Sequence, residues 1–373
     1  MPLTSRFRTY KIHRLAIAAA VAAAVVLVPQ ASSATSQASS GTVAEGAAGT
    51  SQASSGTVAK NAADTSQAFP TFVHLPADMA AHPDATDEWW FTVGHVSAHG
   101  HKYGYEVVLT NDGMAQLAIT DVTAGKHYAH TSRFDAGDFS ASAKNLDVRM
   151  PDARLTGTMD AMHLTAKLPE GSLDLRLSSK GHVMYPGGNG LIPFAGGSSY
   201  YYSLPNLKTS GTLTLNGKTS KVTGKSWLDR QWGEWDWSQV NKWTWMAIQL
   251  DNGEFINLAD LFDTQGKEEH YATVLHRDGS QSVVTVEPLA RDAARFETSP
   301  ATGQRYAGKW TVRIPSLDTT LTVTARPTLQ EIPTPEGSSK DLKKNEAASS
   351  VSGTYKGRPV TGKAYVEQFG NWK

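Results

Sequence analysis

The chain has no cysteine among its 373 residues. That excludes disulfides, thiol nucleophiles and thiolate metal ligands, so an exported form would be held by its hydrophobic cores alone. Net charge is missing too. The 35 basic residues balance 35 acidic ones, leaving no electrostatic pull towards nucleic acid or an anionic membrane. No convincing amphipathic helix follows Pro70, and RDAARFET offers at most one short helical turn. Neither an HExxH helix nor a GxSxG elbow occurs. The 12 histidines are scattered; of the close set His95, His99 and His101, the last two flank Gly100 in an evident turn. No metal and no cofactor is expected on these grounds. A serine-hydrolase site would have to assemble from residues distant in sequence.

One long apolar run is present, at the start. Arg6, Arg8, Lys11 and Arg14 precede Leu15 to Val28, which ends at Pro29. A basic segment followed by an apolar one is the pattern of a secretory signal, and the run is short for a membrane span of about 20 residues. Small residues at Ser32 and Ala34 place cleavage so that the mature chain begins near Thr35. Residues 1–34 are therefore expected to be a signal peptide. The mature chain then carries a formal charge of about −4, is secreted with no stable membrane insertion, and is extracellular, periplasmic or cell-wall associated. Next comes a Ser/Ala/Gly/Thr-rich stretch, residues 35–69, with SQASSGTVA at Ser36 and again at Ser51. It holds too few large apolar groups to repay ordering and reads as a disordered linker, a spacer or a wall tether.

From Pro70 onwards short alternating runs are split by Asn-Gly and Asp-Gly turns, as in TWMAIQLDNGEFINLADLF and TVLHRDGSQSVVTVEP. Period-two alternation with hairpin turns and almost no helix predicts an all-β chain of antiparallel barrels or sandwiches. A break near Gly233 to Asn241 divides it into halves at 70–235 and 236–373, each of ordinary domain size. The polar stretch Ile332 to Ser350 reads as a solvated loop.

What stands out is the run WLDRQWGEWDWSQVNKWTW. It spans Trp227 to Trp245 at the expected seam and holds six of the ten tryptophans together with Asp229, Glu234 and Asp236. Indole prefers the wall of a core or pocket, and a carboxylate is costly to bury unpaired, so the run is either a pocket with an acid in it or a core with its acids in water. If the strand is regular, Trp227, Asp229 and Gln231 share one face and Arg230 points to the other, into an ion pair. Asp229 is the first candidate for a proton donor, the alternative being a carboxylate that pins a turn. Glu88 and Trp90 share a face of DEWWFTVGHV, making Glu88 a second candidate acid or a structural acceptor of hydrogen bonds. His95 reads as an orienter of Glu88 or Asp229. Gly187 to Gly197 reads as a mobile loop over a cavity mouth, and Tyr201, in the triplet that follows, as a hydrogen-bond donor to ligand or a plain strand residue. Trp232, Trp235 and Trp245 either pack the seam or line a cavity.

DEWWFTVGHV (Asp87 to Val96), SGTLTLNGKTSKVTGKSWLDRQWG (Ser210 to Gly233) and GKAYVEQFG (Gly362 to Gly370) resemble the marker segments of the carotenoid 1,2-hydratase and lipocalin-like secreted hydrolase superfamily. That group includes kievitone hydratase-like proteins and lipocalin-fold Diels–Alderases. The resemblance implies two lipocalin-like antiparallel β-barrels in tandem, an apolar cavity near their contact and chemistry without a bound cofactor. The residues expected to contact a ligand in that cavity are Trp90, His95, Tyr201, Trp227, Gln231, Trp232, Trp235 and Trp245. Gln231 stands where the family commonly has Glu, so a mechanism needing two carboxylates at this spot is in doubt. The expected activity is acid-assisted hydration or isomerisation of an apolar unsaturated small molecule, terpenoid, polyene or lipid-like, with Asp229 and Glu88 catalytic. Rival expectations are a non-catalytic carrier of an apolar ligand, a hydrolase, and a pericyclase of a biosynthetic pathway.

Overall fold

The computed structural model describes residues 70–334 and 344–370; the expected signal peptide and linker lie outside the described residues. Two large antiparallel sheets repeat one plan. In the first, twelve-stranded sheet, strand Asp87–Ala98 pairs with its successor His101–Thr110 on one side and with the late strand Lys218–Glu234 on the other. The two edge strands, Lys126–Arg133 and Ser140–Ala141, are neighbours in sequence, so the sheet curls on itself. The second, nine-stranded sheet does the same: Val240–Leu250 pairs with Phe255–Asp263 and with the final strand Arg358–Gly370. Beyond Arg358–Gly370 the sheet continues through Lys344–Tyr355 and Thr319–Ala325 to the edge strand Lys309–Ile314. These are two lipocalin-like barrels in tandem. The helices among the described residues are short 3-10 turns, one of them, Leu289–Asp292, overlapping the start of RDAARFET.

Each barrel has its own apolar interior. Trp90, Leu109, Leu117, Leu164 and Leu228 fill the first, and Met246, Ile248, Trp310, Val323 and Val366 the second. A third apolar layer lies between the barrels, with Phe91, Val93 and Trp227 from one side and Trp243, Trp245 and Tyr365 from the other. The seam strands are therefore buried on both faces. This is why WWFTV and WTWMAIQL read as nearly continuous apolar runs instead of clean alternation.

The stretch Ile332 to Ser350 differs from its expected form as a solvated loop. Residues 335–343 are outside the described set, but Lys344–Tyr355 is a strand, and Lys344, Asn345 and Glu346 are buried. Their polarity is met by other polar groups, which hydropathy along one segment does not register.

Close packing inside the first barrel depends on Gly94. A Cβ there would lie 2.4 Å from Ser226 Oγ and 2.5 Å from the Tyr105 ring. Both neighbours are fully buried, and Tyr105 and Ser226 share a 2.5 Å hydrogen bond. Gly94→Ala is expected to destabilise the protein by about 1–3 kcal/mol through overpacking, measured by chemical denaturation.

Candidate active site

A cavity of about 620 Å³ opens in the seam, within the range of roughly 300–1,000 Å³ typical of small-molecule sites. Its walls come from both barrels. Trp89, Phe91 and Val108 contribute from the first barrel, with Ile192 and Phe194 from the short strand Leu191–Phe194. Trp243, Trp245, Leu261 and Phe369 line it from the second barrel, and Trp237 from the connection. The rings lock one another: Trp243 stacks on Phe369 at 4.0 Å, and Phe91 meets Trp245 edge-on at 5.3 Å. The glycine-rich stretch expected as a loop supplies that short strand, which hydrogen-bonds to Gly197–Leu215 and carries Ile192 and Phe194 to the wall.

Into this apolar space projects Asp229. In the strand register it lies between Phe91 on one neighbour and Ser203 on the other. Alternation puts Trp227 and Gln231 on its face. The Trp227 indole donates to Asp229 Oδ1 at 2.5 Å, and the Tyr201 hydroxyl donates to Oδ2 at 2.5 Å. Tyr201 in turn accepts from Asn257 Nδ2 at 2.8 Å, while Asn257 Oδ1 accepts from the Trp245 indole at 3.2 Å. The chain Trp245–Asn257–Tyr201–Asp229 thus crosses from the second barrel to the first. Burial is the main influence on the acid, pushing its pKa up to about 7. Hydrogen bonds from Ser203, Tyr201 and Trp227 oppose the rise, and the charge of Glu367 reinforces it. An acid of this kind keeps a proton to give near neutral pH.

Glu88 borders the cavity, but its carboxyl is directed elsewhere. It accepts from Arg230 Nη2 at 2.7 Å and from the His82 ring at 2.8 Å. Arg230 is itself fully buried, 4.1 Å over the Trp90 ring, and donates to the carbonyls of Trp89 and Ala80. Burial disfavours the Glu88 anion, but the His82 hydrogen bond and the charge of Arg230 outweigh it and hold the carboxyl below its ordinary value. The group is an ionised strut that, with Arg230, ties the segment Ala80–His82 to the first barrel.

The other predicted residues divide by strand face. Gln231 and Trp245 line the cavity with Asp229 and Tyr201, and Trp227 grips the acid from behind. Trp90 and Trp232 face the interior of the first barrel, on the side of Arg230, and His82 stacks flat on Trp232 at 4.0 Å. Trp235 packs edge-on against the cavity-lining rings Trp89 and Phe194. His95, expected to orient Glu88 or Asp229, instead bonds through Nε2 to Ala364 O at 3.1 Å. It is four residues beyond Phe91, the cross-strand partner of Asp229, and so about 13 Å along the strand from the acid. Burial first, then the charge of Lys363, lowers its pKa to about 4, so it is a neutral link between the barrels. Among the described residues no group of His, Asp and Glu is placed to hold a metal ion.

Sequence reasoning missed Asn257, whose signal was a lone amide in the apolar strand FINLADLF. It also missed a buried charge cluster that draws on both barrels. Lys344 Nζ lies 3.0 Å from Glu106, 2.9 Å from Glu346 and 3.6 Å from Glu367, and both Lys344 and Glu367 reach the cavity.

A sequence model described as AttH-like matches residues 110–371. Dehydratase asqC of Emericella nidulans is 26% identical over 174 residues, covering 44% of this chain and 49% of that protein. Kievitone hydratase of Fusarium solani subsp. phaseoli is 28% identical over 122 residues, covering 31% and 35%. The chain thus spans half or less of the length of these curated relatives. Among solved structures, an AttH of Nitrosomonas europaea superposes with a TM-score of 0.70 at 24% identity, covering 80% of this chain and 97% of that one. Kievitone hydratase from Nectria haematococca gives 0.67 at 16% identity, covering 80% and 92%. At these identities the two structures establish the fold.

Proposed function

Since the chain belongs to the AttH-like family, and the relatives it matches in part are named a dehydratase and a hydratase, we propose that it is an enzyme adding water to, removing it from, or shifting a carbon–carbon double bond. Its substrate is an apolar unsaturated small molecule, terpenoid or polyene-like, held in the seam cavity. The observation that carries this reading is Asp229: a buried carboxyl with a raised pKa, aimed into an aromatic cavity and braced by Tyr201 and Trp227.

The chemistry follows from the placement. Asp229 gives its proton to one alkene carbon, and the π pair forms the new C–H bond. The cation left on the neighbouring carbon lies among ring faces such as Phe91 and Trp245, each worth about 0.5–2 kcal/mol of cation–π attraction. Water then adds, or a proton leaves from an adjacent carbon and the double bond has moved. The aromatic lining limits bulk water, so the cation meets one nucleophile at a time. We further propose that the protein works outside the cytoplasm, on the strength of the basic and apolar pattern at its N-terminus.

The test offers kievitone and a series of acyclic terpenoid alkenes to the purified protein in heavy-oxygen water. Mass spectrometry of the products is expected to show one labelled oxygen gained, or an isomer with none. A carrier would bind these compounds and return every one unchanged, which would overturn the enzymatic reading. A Ser282–His276–Glu254 chain does exist, with contacts of 2.8 and 2.7 Å. None of its members lines the cavity, so the hydrolase alternative gains nothing there.

Tyr201 sets the acid's strength. Its hydroxyl stabilises the ionised form of Asp229, so its loss raises the carboxyl's pKa further. Because the reaction needs the protonated acid, activity in Tyr201→Phe is expected to persist to higher pH than in the wild type. The alkaline limb of the pH–rate profile, near 7 in the wild type, shifts upward.

A further inference from the structure

We propose that Glu367 is a second catalytic group, the base that takes the proton of the attacking water in the cavity it shares with Asp229. This rests on the hydration reading above and adds to it the identity of the group that completes water addition.

Three observations carry the proposal. First, Glu367 and Asp229 come from different barrels and line one cavity, Glu367 from Arg358–Gly370 and Asp229 from Lys218–Glu234. They are near enough for the charge of one to raise the proton affinity of the other. An alkene held in this cavity can be protonated by Asp229 and attacked by a water that Glu367 holds. Second, Glu367 is the member of its cluster that remains partly exposed, with 16% of its side chain accessible, whereas Glu106 and Glu346 are fully buried. Third, the cluster is short of cations. Glu346 lies directly across the strand pair from Glu367, and Glu106 comes in from the first barrel. Lys344 serves all three carboxylates at 2.9–3.6 Å.

Three carboxylates around one ammonium in a buried site cannot all be ionised, just as like charges a few ångströms apart share a proton elsewhere. One oxygen of each inner glutamate, Glu346 Oε2 and Glu106 Oε2, has no hydrogen-bond partner, which suits carboxyls that carry or exchange protons. Burial above all pushes Glu106 up to about 7 and Glu346 well above its ordinary value, against the pull of Lys344. Tyr365, whose buried hydroxyl also lacks a partner, feels the charges of both glutamates. The groups facing Glu367 are thus Asp229, Glu106, Lys344, Glu346 and Tyr365. Burial favours the proton on the inner glutamates, and Glu367 is the carboxyl of the cluster that reaches the cavity.

The step balances. Asp229 loses its proton to carbon, water forms the C–O bond to the cation, and the water's proton passes to Glu367. Solvent then carries that proton back to Asp229, so each turnover consumes one alkene and one water.

The two groups separate by isotope. Proton gain and loss at the alkene carbon needs Asp229 alone, whereas alcohol formation needs both. In deuterium oxide, with whichever kievitone or terpenoid substrate is turned over, Glu367→Gln is expected to keep deuterium exchange into recovered alkene. Its alcohol formation falls about 10²-fold or more, as for loss of a general base. Glu367→Asp restores part of the alcohol yield. Asp229→Asn loses both signals. If Glu367→Gln makes alcohol at the wild-type rate, the proposal is overturned while Asp229 stands. If Asp229→Asn retains exchange, it is the parent reading that falls. Should Glu367→Gln fold poorly, Glu367→Asp provides the second measurement: its shorter side chain draws the carboxylate back from the cavity, so alcohol formation is expected to lie below the wild-type rate while deuterium exchange is kept. A folded Glu367→Asp that makes alcohol at the wild-type rate overturns the proposal.

Discussion

Asp229→Asn is expected to abolish both hydration and alkene proton exchange, a loss of about 10²–10⁴-fold or more, while leaving the protein folded. Asparagine matches aspartate in shape but has no acidic proton, so the substitution removes the chemistry and little of the packing. Its stability should change with pH in a particular direction. The folded-state pKa is about 7 against an ordinary value of 3.8, so the native state holds this proton more tightly than the unfolded chain. The wild type is therefore penalised as pH rises from about 4 to 7 and carries the full penalty above that. Asparagine has no such penalty. Relative to the wild type, the variant should be more favourable at pH 8 than at pH 4, as read by paired melting curves. A variant whose relative stability does not respond to pH would show that Asp229 is not the high-pKa group.

Arg230→Met should have the largest effect on stability. The side chain is fully buried, neutralises Glu88 at 2.7 Å, and holds the carbonyls of Trp89 and Ala80. Methionine fills the space above Trp90 but leaves a buried carboxylate without its cation, a loss of about 3–5 kcal/mol. Chemical denaturation measures it, and the double variant Glu88→Gln/Arg230→Met should recover part of the loss, since neither charge is then stranded. The pH response inverts as well. In the wild type the pair's contribution is fully present above the ordinary Glu value of 4.5 and disappears as pH falls through the lowered native value. Without Arg230, burial raises the Glu88 pKa instead, and stability falls as pH rises. Glu88→Gln alone should leave alkene exchange intact, which separates this strut from the acid three places along the neighbouring strand.

Much of this architecture was legible in residue order, because its rules are local. Alternation placed Trp227, Asp229 and Gln231 on one face and Arg230 on the other, and the hairpin turns announced an antiparallel chain. The partners of Asp229 were harder to read. Tyr201 meets it through strand register, and Asn257 reaches Tyr201 across the seam; neither relation is periodic along the chain. Trp90 and Trp232 showed the limit of reasoning from type, since an indole suits a barrel interior as well as a cavity wall, and only the face decides. The glutamate–lysine cluster was hidden more deeply. Lys344 and Glu346 sit in a polar stretch that reads as solvated, and their burial is tolerable only because Glu106 and Glu367 arrive from distant strands.

The hydrogen-bonded path from Trp245 through Asn257 and Tyr201 to Asp229 means that the acid belongs to neither barrel. Its proton affinity is tuned by side chains encoded on both sides of the connection between the barrels, as is the wall that faces it. A substitution accepted in one half resets the reactivity of a group carried by the other. The two barrels must therefore change in step over evolutionary time, and a chimera that joins the front half of one relative to the back half of another would inherit the shape of the cavity without the acidity that makes it useful.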